Sequence, residues 1–300
     1  MVLDGALATE LERRGADLDD PLWSAKCLIE RPGLIRAVHL DYFRAGADVA
    51  TTATYQATFE ACARRNIEAP GAAQLMRGAV ALAAAARDEF WDDETNRGGR
   101  LRPLVAASIG PYGAMLADGS EYRGRYALDD AALADFHRPR LQVLADAGAD
   151  LVACETIPCL REARVLAQLL QELDACAWIS FSCRDDAHTC EGDDIGACAA
   201  ALQAFPQVAA VGVNCTPPQY VTSLLRRMRR ATDRPLLAYP NSGETYDASS
   251  KNWSGAAGAA AAAPFGGWAS LWHGAGARLI GGCCRTGPDH IREVVRCVPH

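Results

Sequence analysis

The phrase Ala-Gly-Ala, followed by a charged residue and a short apolar run, occurs three times in this chain. The copies are Ala45-Gly46-Ala47-Asp48-Val49, Ala147-Gly148-Ala149-Asp150-Leu151 and Ala275-Gly276-Ala277-Arg278-Leu279. Each follows a helical pattern. Glycine just past a helix end supplies a left-handed cap, and the run after it reads as a buried strand. This is the helix-to-strand connection of a repeating β/α unit. Eight such runs can be traced, at residues 2–5, 49–54, 104–109, 151–155, 178–182, 208–214, 235–239 and 278–282. They are continuous rather than alternating, which predicts parallel strands covered on both faces. Between them Leu166, Leu169, Leu170 and Leu173 fall at helical spacing, as do Leu34 with Val38 and Leu133 with Phe136. Pro288-Asp289-His290 opens a last helix running towards Val298. Eight strands in alternation with helices predict an α/β fold, a single (β/α)8 TIM-barrel domain over residues 1–300. An open doubly wound sheet is the competing arrangement. No G-x-G-x-x-G follows the first run, however, and Gly110-Pro111-Tyr112-Gly113 is too short to replace it. The first run starts at residue 2, so little backbone pairing is expected to hold it.

Composition removes several classes of function. Half of the 300 residues are hydrophobic and 22% are charged, enough to build a sizeable core. The net charge of −7 argues against a nucleic-acid-binding face, and Arg226-Arg227-Met228-Arg229-Arg230 reads as a solvated helix surface. No apolar run approaches the ~18 residues of a membrane span, and the first twelve residues lack the basic start of a signal peptide. A soluble, cytoplasmic protein is expected. The twelve cysteines include no CxxC pair, so zinc ribbons and thioredoxin-like motifs are excluded, and reduced thiols are expected. Cys62, Cys176, Cys198 and Cys297 lie among Ala, Leu and Val and read as small core residues.

In barrels of this kind the chemistry sits where the strands end. The runs end in Asp4-Gly5, Thr52-Ala53-Thr54-Tyr55, Ser108-Ile109-Gly110-Pro111, Cys154-Glu155-Thr156, Ser182-Cys183, Asn214-Cys215, Pro240-Asn241-Ser242 and Gly281-Gly282-Cys283-Cys284. Cys215, Cys283 and Cys284 stand out, because two adjacent thiols at a strand end are hard to explain as packing. Gly281 and Gly282 are read as making room for the two sulfurs to turn inward. Three thiolates around Zn2+ leave a fourth tetrahedral position open, the pattern of a catalytic site, and an all-sulfur set disfavours Mg2+ or Ca2+. Such a centre is a weak generator of hydroxide but a good carrier of a further sulfur ligand. A thiol entering the open position loses its proton and becomes a nucleophile. Transfer of a methyl group to that sulfur is the simplest use. No histidine competes for a catalytic role, and Gly119-Ser120 lacks the nucleophile elbow of a hydrolase.

At this point the motifs converge on a known family. Asp4-Gly5-Ala6-Leu7-Ala8-Thr9-Glu10-Leu11, Glu155-Thr156-Ile157-Pro158, Gly212-Val213-Asn214-Cys215 and Gly281-Gly282-Cys283-Cys284 resemble the homocysteine S-methyltransferase family over nearly the whole chain. Ile109-Gly110-Pro111-Tyr112-Gly113, Asp118-Gly119-Ser120-Glu121-Tyr122-Arg123-Gly124 and Tyr239-Pro240-Asn241-Ser242-Gly243-Glu244 look most like the branch that uses S-methylmethionine or S-adenosylmethionine. The resemblance implies zinc-dependent methyl transfer from a sulfonium donor to L-homocysteine, giving methionine. It implies Cys215, Cys283 and Cys284 as zinc ligands, Asp4 and Glu155 as partners of the homocysteine ammonium, and Thr52 as a wall of the homocysteine pocket. Two strand-end carboxylates also suit an –NH3+ on physical grounds. Gly5, Trp23, Tyr55 and Asn214 are candidate substrate-binding neighbours; of the two long segments expected on the catalytic face, 114–128 and 242–264, the first carries Tyr122 and Arg123 as candidate donor-pocket residues. The competing readings are a betaine-type donor, a metal-dependent hydrolase (which wants His and Asp ligands, absent at these strand ends) and a non-catalytic zinc- or thiol-binding barrel. Methylcobalamin or methylfolate donors would need further modules.

Overall fold

The structure, a computed structural model, describes residues 1–20, 22–243, 245–247, 252–254 and 264–298. Seven strands form one parallel sheet: β1 (Val49–Thr51), β2 (Leu104–Ile109), β3 (Leu151–Ile157), β4 (Ala177–Phe181), β5 (Val208–Asn214), β6 (Leu236–Tyr239) and β9 (Ala277–Ile280). They are neighbours in chain order, apart from the excursion between β6 and β9 that carries a small antiparallel pair, β7 (Thr245–Asp247) and β8 (Asn252–Ser254). The anticipated first strand, residues 2–5, is not a regular strand. Val2 bridges to Ile280 of β9 and Leu3 bridges to Val49 of β1, so this short segment touches both edges of the curled sheet. The fold is thus TIM-barrel-like, with seven regular strands where eight were expected.

Helices fill the connections: α1 (Leu7–Arg13), α2 (Lys26–Glu30), α3 (Pro32–Ala45), α4 (Phe59–Ala63), α5 (Ala69–Asp92), α6 (Tyr112–Leu116), α7 (Asp130–Ala145), α8 (Leu160–Glu172), α9 (Ile195–Leu202), α10 (Pro218–Arg229), α11 (Phe265–Gly274) and α12 (Pro288–Cys297). Their starts are written locally. Thr58, Asp129 and Asp194 accept hydrogen bonds from the backbone N–H of Ala61, Ala132 and Ala197, satisfying donors that a helix start leaves free. Proline opens α3, α5, α10 and α12, where its missing N–H costs nothing. All three glycines of the Ala-Gly-Ala phrase have left-handed backbone, with φ of 107° at Gly46, 83° at Gly148 and 109° at Gly276. At Gly46 a Cβ would also sit 2.6 Å from Val295 of α12.

Two apolar layers result. The larger lies between sheet and helices, where α8 contributes Leu166, Leu169 and Leu170. The smaller lines the inner face of the sheet and consists of Leu3, Val49, Ala106, Ala153, Trp178, Ala210, Leu237 and Tyr239. Three alanines there make room for one tryptophan and one tyrosine. Both polar tips are satisfied, since Trp178 Nε1 donates to Tyr239 Oη at 3.1 Å and Ser180 Oγ lies 2.6 Å from the same oxygen. This filled interior forms a floor beneath the strand ends. Cys62 and Cys198 are buried as expected, whereas Cys176 and Cys297 are exposed at element ends. None of the helices among the described residues is long and apolar enough to cross a membrane.

Candidate active site

The ends of β5 and β9 bring three sulfurs together. The Sγ atoms of Cys215, Cys283 and Cys284 all lie within 4.8 Å of one another, with Cys215 to Cys284 at 3.5 Å and Cys283 to Cys284 at 4.0 Å. Backbone hydrogen bonds fix the two loops against β6 and its extension: Cys215 N–H donates to Tyr239 O at 3.3 Å and Cys283 N–H to Pro240 O at 2.7 Å. Cys215 has φ of 45° and Arg285, just after the cysteine pair, 67°. Left-handed backbone at a non-glycine residue costs roughly 1–3 kcal/mol and persists where surrounding structure enforces it. Hydrogen bonds from Cys283, Cys284 and Tyr122 hold the Cys215 thiol well below the usual cysteine range. A negative Cys215 in turn pushes the other two up. Soft sulfur atoms this close, one already drawn towards thiolate, fit a thiophilic metal with room for one more ligand.

The two glycines before the cysteine pair answer to a different demand from the one expected. A Cβ on Gly281 would sit 2.6 Å from Leu3 Cβ and 2.7 Å from Asp4 O, and one on Gly282 would overlap the Thr286 side chain. Gly281 admits the first segment against β9, Gly282 leaves room for the Thr286 side chain, and Gly282 N–H donates to Asp4 O at 3.0 Å. The seam that closes here therefore sets where Asp4 stands. Gly5 is constrained in the same way, because a Cβ would come within 2.9 Å of the Tyr42 ring.

Asp4 is buried, and its Oδ2 accepts the Thr51 N–H at 2.8 Å while the Thr51 hydroxyl approaches both carboxylate oxygens. Burial pushes its pKa well above the ordinary value, against the pull of Thr51, and the negative field of Glu155 adds to the rise. Glu155 on β3 accepts from Ser108 Oγ and from the Tyr239 hydroxyl, yet burial and Cys215 raise it to about 7. A buried carboxyl, a half-buried one and a thiolate share one electrostatic region, and a cation bound among them would relieve all three.

Asn214 has no solvent exposure and serves the frame. Its Oδ1 accepts from Thr156 N at 2.7 Å and Ser180 Oγ at 2.8 Å, and its Nδ2 donates to Thr156 Oγ1 at 2.8 Å and faces Cys283 Sγ at 4.0 Å. These bonds hold Thr156, a β-branched residue, at φ of 62° directly after Glu155. Thr52 is turned to similar work: its hydroxyl accepts from Ser108 N–H at 3.1 Å and pairs with Thr54 at 2.7 Å.

The aromatic candidates divide. Trp23 and Tyr55 meet edge to face at 5.9 Å, and Tyr55 hydrogen-bonds to Thr156. Tyr122 reaches the Cys215 sulfur. Arg123, by contrast, has a side chain 58% exposed and is tied to its own loop, donating to Asp118 O at 3.0 Å and Ser120 Oγ at 3.2 Å. The second long segment, 242–264, lies largely outside the described residues. Sequence reasoning passed over Glu121, which is only 9% exposed and whose Oε2 has no hydrogen-bond partner. Burial and the field of Cys215 raise its pKa to about 7. The sequence carried no signal for it; the fold packs its backbone against Gly113, where a Cβ would sit 2.5 Å from Glu121 N.

A curled parallel sheet with a three-thiol set and flanking carboxyls at the strand ends defines the class, a TIM-barrel-like enzyme built to hold a metal and handle a thiol. The chain belongs to the homocysteine S-methyltransferase family, whose description matches residues 1–298. It is 54% identical over 295 residues to "Homocysteine S-methyltransferase YbgG" of Bacillus subtilis (strain 168), covering 98% of this chain and 93% of that one. It is 46% identical over 302 residues to the "Selenocysteine Se-methyltransferase" of Brassica oleracea var. italica, covering 98% and 87%. The metallated form of the homocysteine methyltransferase MmuM from Escherichia coli superposes with a TM-score of 0.88 at 45% identity, covering 99% of this chain and 96% of that one.

Proposed function

We propose that this protein transfers a methyl group from a sulfonium donor, S-methylmethionine or S-adenosylmethionine, to the thiol of L-homocysteine, and that the metal at Cys215, Cys283 and Cys284 is Zn2+. The observation that carries the reading is the three-sulfur cluster within 4.8 Å standing beside the carboxyls of buried Asp4 and half-buried Glu155. Bound there, Zn2+ would lower the pKa of a substrate thiol so that it stands as thiolate at neutral pH. The remaining work falls to the chain. Asp4 and Glu155 take the homocysteine ammonium, whose charge offsets their mutual repulsion. Asn214 holds the end of β3 so that Glu155 keeps its place, and Tyr55 and Trp23 wall the pocket from water. Arg123 is assigned to the donor side through the turn it braces at Asp118 and Ser120. The bond changes balance: the thiolate sulfur supplies the electron pair of the new S–CH3 bond, and the broken bond's pair stays on the donor sulfur, which leaves as a neutral thioether.

A closed (β/α)8 barrel belongs to the same reading, supported by the bridges from Val2 and Leu3 to the two edge strands. So does a cytoplasmic setting, since an open three-thiol site needs a reducing compartment. The name of the Brassica relative makes selenocysteine a natural alternative acceptor.

The test is methionine formation from homocysteine with S-methylmethionine, S-adenosylmethionine or betaine in parallel. A sulfonium donor is expected to be preferred, and turnover with betaine alone would overturn that assignment. Charge-assisted hydrogen bonds are worth roughly 1.5–3 kcal/mol, so Glu155→Gln is expected to lower kcat/KM for homocysteine on the order of 10- to 150-fold, while 4-mercaptobutanoate, which is homocysteine without its amino group, loses little further. Equal losses on both thiols would show that Glu155 acts elsewhere.

A further inference from the structure

Glu121 is an acidic side chain with no ion pair among the described residues. It lies in the one-turn helix Ser120–Tyr122, is 9% exposed, and its Oε2 accepts no hydrogen bond. A buried carboxylate oxygen normally finds a donor, and leaving one bare costs free energy. Among the described residues the carboxyl shares its field with Tyr55, Tyr126, Tyr122, Cys215 and Asp118, and the guanidinium that acts on it, Arg123, is turned outward to Asp118. The backbone on both sides is fixed. Glu121 O accepts from Ser182 Oγ at 3.0 Å, Gly119 adopts φ of 80°, and Gly113 leaves the space into which the Glu121 backbone packs. The position is therefore held firmly, and the unmet demand is electrostatic.

We propose that Glu121 recognises the positively charged head of the methyl donor, with its carboxylate on one side of the onium group and the faces of Tyr55 and Tyr122 beside it. Tyrosine faces attract onium cations, and a bound cation favours the ionised form of Glu121, which then adds an opposite charge beside them. The inference rests on the proposed reaction and adds a residue to it. It also fixes which kinetic constant the residue controls. The onium charge is present in the bound donor and disappears as the methyl group moves to the thiolate, so Glu121 stabilises the donor complex more than the transition state. Its contribution belongs in the donor's KM and leaves kcat undiminished. Glu121 is thus a specificity residue for charged over neutral donors.

The experiment compares wild type with Glu121→Gln and Glu121→Asp, all with matched metal content and checked for unchanged melting temperature. With saturating homocysteine, Glu121→Gln is expected to raise the sulfonium donor's KM tenfold or more, with kcat equal or higher and the homocysteine KM within twofold. Glu121→Asp, which keeps the charge, is expected to recover most of the loss. Binding is read separately by NMR titration with tetramethylammonium and with tert-butanol, an uncharged molecule of similar bulk. Wild type should favour the cation, and Glu121→Gln should remove that preference. A donor KM unchanged in Glu121→Gln, or donor and homocysteine KM rising together, or tetramethylammonium and tert-butanol binding equally to wild type, would each overturn the assignment. If wild type itself forms no methionine from any donor, the reaction fails, and the titration still decides whether Glu121 selects a cation.

Discussion

Thr156, Cys215 and Arg285 hold left-handed backbone, at φ of 62°, 45° and 67°: Thr156 where the register of β3 shifts, Cys215 one residue past β5, and Arg285 one residue past the cysteine pair. None is glycine, and each follows or is a residue of the site. Asn214 shows how one such turn is enforced, with two hydrogen bonds to Thr156 alone. Strand-end residues such as Asp4, Glu155, Cys215, Cys283 and Cys284 were legible in sequence because the apolar runs say where strands stop. Glu121 was not, since it sits mid-segment in polar surroundings and its meaning depends on burial that only the fold creates. Nor could the sequence say that the Thr52 hydroxyl accepts from Ser108 N–H and pairs with Thr54. His39 is a residue-scale liability of another kind. It is fully buried in α3 with both ring nitrogens unpartnered, and burial lowers its pKa to about 4. The unfolded chain binds a proton near pH 6.5 and the folded chain only near 4, so stability falls as pH drops through this window. The full loss is about 3 kcal/mol. In thermal melts from pH 7.5 to 4, His39→Leu is therefore expected to lose less stability than wild type; parallel curves would refute the buried neutral imidazole.

Helices α7 and α8 carry a buried polar cluster that the periodicity of their leucines could not announce. His137 and Glu162 meet at 2.8 Å, Arg140 lies 3.0 Å from His137 Nδ1 and donates to Gly110 O, and Tyr112 N–H donates to Glu162 at 2.7 Å. All three side chains are essentially without solvent contact. The cluster anchors the turn after β2 and so the start of the segment bearing Glu121 and Tyr122. Removing one charge from such a set strands another, at a cost of roughly 3–5 kcal/mol. Glu162→Gln is expected to lower the melting temperature on the order of 10 °C, read by circular dichroism; a change within 2 °C would show that Arg140 is held without it. Element boundaries followed the sequence closely for residues 104–109 and 208–214, which are strands β2 and β5. They failed at residues 2–5, where only two bridges form, and at the β7–β8 pair within a stretch read as loop. Short segments carry too few side chains for periodicity to register, and their pairing is decided by partners far away in the chain.

At the scale of the whole molecule, one end of the sheet is specialised. The inner layer, closed by Trp178 and Tyr239, seals the interior below, and Tyr239 reaches up to Glu155. Above it sit the three sulfurs at the ends of β5 and β9, carboxyls from the first segment and β3, and Glu121 from the loop after β2. The repeating β/α pattern made this layout readable before any coordinates, because it fixes which ends of the strands share a face. The most direct test of the account is the conversion of 13C-labelled homocysteine to 13C-labelled methionine by zinc-reconstituted protein supplied with S-methylmethionine, followed by mass spectrometry alongside metal content. Wild type is expected to bind one zinc per chain and form labelled methionine. Cys215→Ala, Cys283→Ala and Cys284→Ala should lose both the metal and the product while keeping a folded spectrum. Labelled methionine formed at the wild-type rate by any of the three variants would contradict the assignment of the three-sulfur site.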